Sequence, residues 1–236
     1  MKSALRYFAI TLACLAVSIG ADAQKRNASI VGANPGLKEY FSDPAGESLA
    51  PDENGFIRRW LLLEPILKPN RTNTVFTDSY IREAFSEEMF PGQFTVLPKD
   101  GQSVKVGEDK LLWHALDSKL FNVKLYRYAT GMGKERYGII FWAVTVLDVP
   151  ETIENVRLMA GSNSASMWWL DGNEVLILSG DRRMVMDDGA SERLTLTKGR
   201  HILRCAVING PGMSDFCVRF VHEDGTPVTS FKTLNK

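Results

Sequence analysis

The sequence predicts an all-β protein, a sandwich of antiparallel sheets with one short helix. Three observations carry that expectation. Between Ala165 and Val221, short apolar or alternating runs recur and are separated by Gly, Asp and Pro turns. The longest apolar run, Tyr137 to Val149, is rich in Ile, Phe, Trp and Val, which favours a central strand over a helix. No internal repeat, coiled coil or low-complexity block interrupts this pattern.

At the N-terminus, Lys2 and Arg6 precede an apolar run from Tyr7 to Ile19, and Ala21-Asp22-Ala23 supplies small residues before Gln24. This is the layout of a secretory signal over residues 1–23, and the run falls short of the roughly 20 residues a membrane span requires. The sequence therefore implies an exported protein, periplasmic or extracellular, with no transmembrane span after cleavage. Residues 24–55 are mostly small or polar, broken by Asn34-Pro35-Gly36 and Asp43-Pro44-Ala45-Gly46, and read as a linker or loosely docked extended arm. The sandwich domain is expected over residues 56–236.

Phe56 to Leu63 becomes continuously apolar, as a strand buried on both faces does, and Pro65 ends it. Thr77-Asp78-Ser79 offers cap residues before Ile81, Ala84, Phe85 and Met89, whose spacing gives one apolar helical face. Phe94–Leu97, Ser103–Val106 and Leu111–His114 read as short strands, Phe121–Tyr128 as an alternating one, and Val156–Met159 resumes pairing. Ala165–Leu170 then meets the Asp171-Gly172 hairpin turn, followed by Val175–Leu178, a short Met184–Met186 run, Leu194–Leu196, Ile202–Ile208 and Phe216–Val221.

The formal net charge of +0, with no dense Lys/Arg block, argues against nucleic-acid binding. Beyond the signal, two cysteines remain, Cys205 and Cys217. Setting Leu203 against Phe220, Cys205 against Val218 and Val207 against Phe216 gathers one apolar face, and it turns the two thiols to opposite sides. Free, partly buried thiols follow from that register; a one-residue slip would allow a bridge.

Hydrolase motifs are poorly represented. Gly46-Glu47-Ser48-Leu49-Ala50 approaches a nucleophile elbow but lacks the closing Gly and a preceding strand, and Gly101-Gln102-Ser103-Val104 reads as a turn. His114, His201 and His222 are isolated from one another, and none reads as having a Cys, His or carboxylate at metal-ligand spacing. Asp181, Asp187 and Asp188 are candidate oxygen ligands for a structural calcium, the only cofactor suggested. Trp168 and Trp169 are consecutive on one strand and must face opposite ways, Trp168 inward and Trp169 outward. An exposed Trp169 beside Asp181, Arg182 and Arg183 would form a flat apolar face rimmed by hydrogen-bonding groups, suited to a sugar ring. The alternative is that Trp169 packs beneath a neighbouring loop or the arm.

Phe56-Ile-Arg-Arg-Trp60-Leu-Leu-Leu63, Gly161-Ser162-Asn163, Trp168-Trp169-Leu170-Asp171-Gly172-Asn173-Glu174-Val175, Leu196-Thr-Lys-Gly199 and Cys205-Ala-Val-Ile-Asn209 together resemble galactose-binding-like jelly-roll domains. The same stretch resembles the β-sandwich region of bacterial proteins labelled acetyl-xylan esterases, without bringing a nucleophile. The resemblance implies a jelly-roll sandwich and a non-catalytic, carbohydrate-binding or accessory role in the degradation of plant polysaccharide of the xylan type, with a polysaccharide or oligosaccharide as partner. A carbohydrate esterase, or an envelope structural or assembly protein with a protein partner, are the alternatives.

Overall fold

The central strands of the main sheet are buried on both faces, and this arrangement positions everything else. The computed structural model describes residues 29–234, so the expected signal segment lies outside the described residues. The helices are α1 (Ile30–Ala33), α2 (Asp78–Ser86) and α3 (Leu125–Gly131), with a 3-10 turn at Pro35–Leu37. The strands are β1 (Phe41–Ser42), β2 (Ser48–Leu49), β3 (Arg59–Leu63), β4 (Ile66–Leu67), β5 (Ser103–Val106), β6 (Asp109–Ser118), β7 (Ile139–Val149) and β8 (Ile153–Ser162). They continue as β9 (Ala165–Leu170), β10 (Asn173–Leu178), β11 (Gly189–Ala190), β12 (Leu194–Leu196), β13 (Gly199–Asn209), β14 (Phe216–Val221) and β15 (Lys232–Leu234).

The main sheet runs β1-β6-β3-β7-β13-β9-β10, antiparallel throughout, while β8 is flanked by β14 on one edge and by β11 and β12 on the other to form a second sheet. The chain is thus an all-β sandwich with short helices. Phe216, Val218 and Phe220 of β14 share the inter-sheet core with Leu203, Cys205 and Val207 of β13. These six residues meet across the core, not as a hairpin. Both edges of β13 are already taken by β7 and β9, so β14 pairs with β8 instead. The thiols are free and buried, Cys205 in the core and Cys217 beside it in sequence phase with the outer face of β14.

A second apolar cluster covers the other face of the main sheet. Thr77 caps α2 by accepting from the Tyr80 N–H at 3.3 Å, and Ile81, Ala84 and Phe85 pack down onto the sheet. The expected strand at Phe94–Leu97 is a turn, in which the N–H groups of Thr95 and Val96 both donate to the Gly92 carbonyl. That turn drops Phe94 onto Trp142 and Trp169.

Three further expectations are corrected. Phe121–Tyr128 does not form a strand: Val123 makes one bridge to Phe216, after which Leu125, Tyr128 and Ala129, spaced i, i+3, i+4, bury one face of α3. Nor is the segment before Phe56 loosely docked where it is described. Leu37 and Phe41 lie in the inter-sheet core, and the buried Arg59 guanidinium, paired with Asp117 at 2.7 Å, donates to the carbonyls of Ala45 and Gly46. Those carbonyls take two of the three guanidinium donors that Asp117 leaves over, so the loop is fixed by a buried charge. The Met184–Met186 run forms no strand; the Val185 carbonyl instead lies against Gly161 of β8.

Candidate functional site

An open cleft of about 1420 Å³ lies at the β6 side of the main sheet. Its floor is Glu64, His114 and Ala115; one wall is the Lys99–Gln102 turn with Val96 and Leu97, and the other is α1, Asp43 and Met132. Glu64 follows β3, where its N–H donates to the Leu112 carbonyl and holds it against β6. Its carboxylate accepts from the Leu112 N–H at 3.3 Å and from Lys134 Nζ at 3.1 Å, and lies 3.4 Å from His114 Nε2. Burial alone would raise the Glu64 pKa. The His114 and Lys134 hydrogen bonds and the positive charge of Lys134 outweigh that and bring it below the ordinary value, so Glu64 is ionised at neutral pH.

The His114 ring stands edge-on to Tyr128, whose hydroxyl donates to the Leu62 carbonyl at 3.3 Å. Burial, then the charges of Glu64 and Asp100, raise the Tyr128 pKa well above its ordinary value and keep it a neutral donor. Asp100 accepts from the Ala115 N–H at 2.8 Å, and two backbone hydrogen bonds between the Gly101-Gln102 pair and Trp113 fasten the turn to β6. Opposite, Ser29 accepts from the Gly32 N–H as the α1 cap and is hydrogen-bonded to Asp43. The cleft therefore presents fixed acceptors (Asp43, Glu64, Asp100), donors at His114 and the exposed Lys99, and apolar strips (Ile30, Leu97, Met132), with Lys134 reaching Glu64 from beside it. Ser29 is the one hydroxyl or thiol side chain among the described lining residues, and it is committed to its cap.

In sequence His114 reads as isolated because its partner Glu64 is distant in the chain. The available signal was a carboxylate closing the continuous apolar run of β3, since a charge there must find partners.

The residues singled out from sequence are not brought together. Trp169 does face away from Trp168, but it is buried, 5% exposed, under α2 and Phe94. Its expected exposure is corrected: a second apolar layer covers that face, and no open ring face is left for a sugar. The loop at Asp181 is tied elsewhere, with Asn73 donating to Asp181 at 2.8 Å and the Gly180 N–H donating to the Phe76 carbonyl. Arg182 pairs with Asp188, and Arg183 is exposed. The calcium reading is corrected as well. Asp187 is bound by Arg219 and Asp188 by Arg182, while Asp181 faces an amide; among the described residues no group of three or more His, Cys, Asp or Glu is placed to hold a metal.

His201 sits 2.6 Å from Asp171 through Nδ1, and Thr197 Oγ1 lies 3.3 Å from Nε2. That composition resembles a nucleophile–base–acid relay, but Nε2 also lies 2.7 Å from the Thr197 carbonyl. With an acceptor at each nitrogen the ring is held as a double donor, which leaves no lone pair to take a proton. Ser48 and Ser103 make no hydrogen bond to a histidine among the described residues.

No family model matches the chain, and no curated protein does. Among solved structures it is similar to a PA14 sugar-binding domain from an RTX adhesin, with 10% identity over 76% of this chain and 100% of that one and a TM-score of 0.43. It is also similar to the PA14 domain of the antifreeze protein MpAFP, with 11% identity over 80% of this chain and 96% of that one and a TM-score of 0.39. Scores this low leave the functional reading to side-chain geometry. Among the described residues, no helix is long and apolar enough to cross a membrane.

Proposed function

We propose that this chain is a non-catalytic carbohydrate-binding module whose cleft receives a neutral stretch of an oligosaccharide. The observation that carries this reading is Glu64 on the cleft floor, held by His114, Lys134 and the Leu112 N–H. A buried, ionised carboxylate fixed by three donors, with further donors and acceptors on both walls, meets hydroxyl groups that both give and accept hydrogen bonds. Three carboxylates and one lysine line the cleft, and Lys134 reaches Glu64 from beside it, so the cleft is weakly acidic and suits an uncharged ligand better than a phosphate. The apolar strips suit the C–H faces of sugar rings.

Within this reading the ligand class is a plant polysaccharide of the xylan type, met outside the cytoplasm. The jelly-roll resemblance and the signal-like N-terminus support that choice.

A glycan array and affinity electrophoresis on xylans test it with the purified protein. Retardation on at least one glycan, lost in Glu64→Gln and His114→Ala, is expected. Retention on none would overturn the proposal, and release of acetate from acetylated xylan would replace it with the esterase reading.

A further inference from the structure

Beside the cleft, aromatic rings and guanidinium groups alternate along the surface. Arg127 lies over the Tyr40 ring at 5.1 Å and 5.9 Å from that of Tyr126. Arg136 lies 5.5 Å from the Tyr126 ring and 5.2 Å from that of Tyr137, and the two tyrosine rings are 6.1 Å apart. The order is Tyr40, Arg127, Tyr126, Arg136, Tyr137. Both arginines are exposed, and Tyr137 is 42% exposed.

The local charge is one-sided. Between Lys119 and Tyr137 the sequence holds five cations (Lys119, Lys124, Arg127, Lys134 and Arg136) and one carboxylate, Glu135. Glu135 accepts from the N–H groups of Arg136 and Tyr137, so its oxygen is turned to the backbone. Lys124 is paired with Asp215 and Lys134 with Glu64, whereas Arg127 and Arg136 are in no ion pair among the described residues. A guanidinium lying over a ring has its orientation set while its N–H edges stay free, and those edges match a carboxylate bidentately.

We propose that this row is a second subsite, for an acidic sugar. A uronate carboxylate is held by Arg127 or Arg136 while its ring lies on Tyr126 or Tyr137. The subsite deepens the carbohydrate-binding reading and rests on it for the neutral part of the ligand. Residues 126–137 supply both places: Met132 lines the cleft and Lys134 holds its Glu64, while Tyr126, Arg127, Arg136 and Tyr137 form the row. A neutral glycan bearing uronate branches would occupy the two together.

Calorimetric titration of the purified protein with two oligosaccharides, identical except that one bears a uronate branch, tests this. The wild type is expected to prefer the acidic ligand by about tenfold, a margin that shrinks with added salt. Arg127→Gln/Arg136→Gln should abolish the preference, keep neutral binding, and leave the melting temperature unchanged because both side chains are exposed. Glu64→Gln should weaken both ligands and keep their ratio. Equal wild-type affinities, or a preference that survives in the double variant, would overturn the subsite. Equal binding of dextran sulfate or single-stranded DNA, neither of which carries a uronate, would also overturn it, by reducing the row to a general polyanion patch. If only the acidic ligand binds and the double variant loses it, the subsite stands and the cleft reading fails.

Discussion

Trp142 and Trp169 stack with ring centroids 5.4 Å apart and planes 20° apart, although β13 runs between their strands. The residue level with Trp142 on β13 is Ala206, fully buried, and its small side chain lets the rings close over the strand. Trp169 is thus a core residue of the second apolar layer, held also by Phe85 and Phe94. Trp169→Ala should cost about 3–5 kcal/mol in urea unfolding, and Trp169→Phe distinctly less. Glycan affinity of the folded Trp169→Phe protein should stay within about twofold of wild type. A large affinity loss with stability intact would return Trp169 to the binding site.

The His201–Asp171 contact sets a pH dependence. Burial alone would lower the imidazole pKa; the Asp171 hydrogen bond, the Thr197 carbonyl and the negative charge of Asp171 outweigh it and raise the value above 6.5. A raised folded value means that the stabilisation is complete below the unfolded pKa and is lost as pH rises through the folded one. The melting temperature should therefore fall as pH goes from about 6 to about 9. Asp171→Asn, which tolerates the positive φ of 51° at this turn, should flatten that slope. An unchanged slope in the variant would refute the assignment.

Gly161 of β8 has no room for a side chain, because a Cβ there would fall 1.7 Å from the Val185 carbonyl oxygen. Gly161→Ala must push the Val185–Asp187 segment outward, disturbing the Asp187–Arg219 pair. A loss of about 1–3 kcal/mol is expected in chemical denaturation. Wild-type stability in this variant would show that the segment is not seated as described.

The thiols should be silent in the native protein. Burial raises the Cys205 pKa well above its ordinary value and pushes that of Cys217 up to about 12. Alkylation at pH 8 should modify neither without denaturant and both with it, as read by mass spectrometry. Rapid native labelling of either would contradict their burial.

Much of the sandwich was legible in the sequence because its signals are local. The Thr77 cap with the Ile81, Ala84, Phe85 spacing marks α2, Asp171-Gly172 marks a hairpin, and the opposite facing of Trp168 and Trp169 follows from the strand period. What lay on the far side of Trp169 was not legible, since the α2 and Phe94 cover comes from a distant segment. The α3 misreading has a different cause: Val123 and Leu125 alternate as in a strand, while the helical spacing Leu125, Tyr128, Ala129 shows only when the residue after Tyr128 is included. The cleft was hidden because Glu64, His114 and Lys134 have no sequence proximity, and partner choice for β13 and β14 depends on which sheet edges are already occupied.

The most direct measurement is titration of the best-retained neutral xylan oligosaccharide into wild type, Glu64→Gln and Trp169→Phe, each shown to be folded. A drop of about tenfold or more in Glu64→Gln, with Trp169→Phe near wild type, is the predicted result. Undiminished affinity in Glu64→Gln would contradict a carbohydrate site in the cleft.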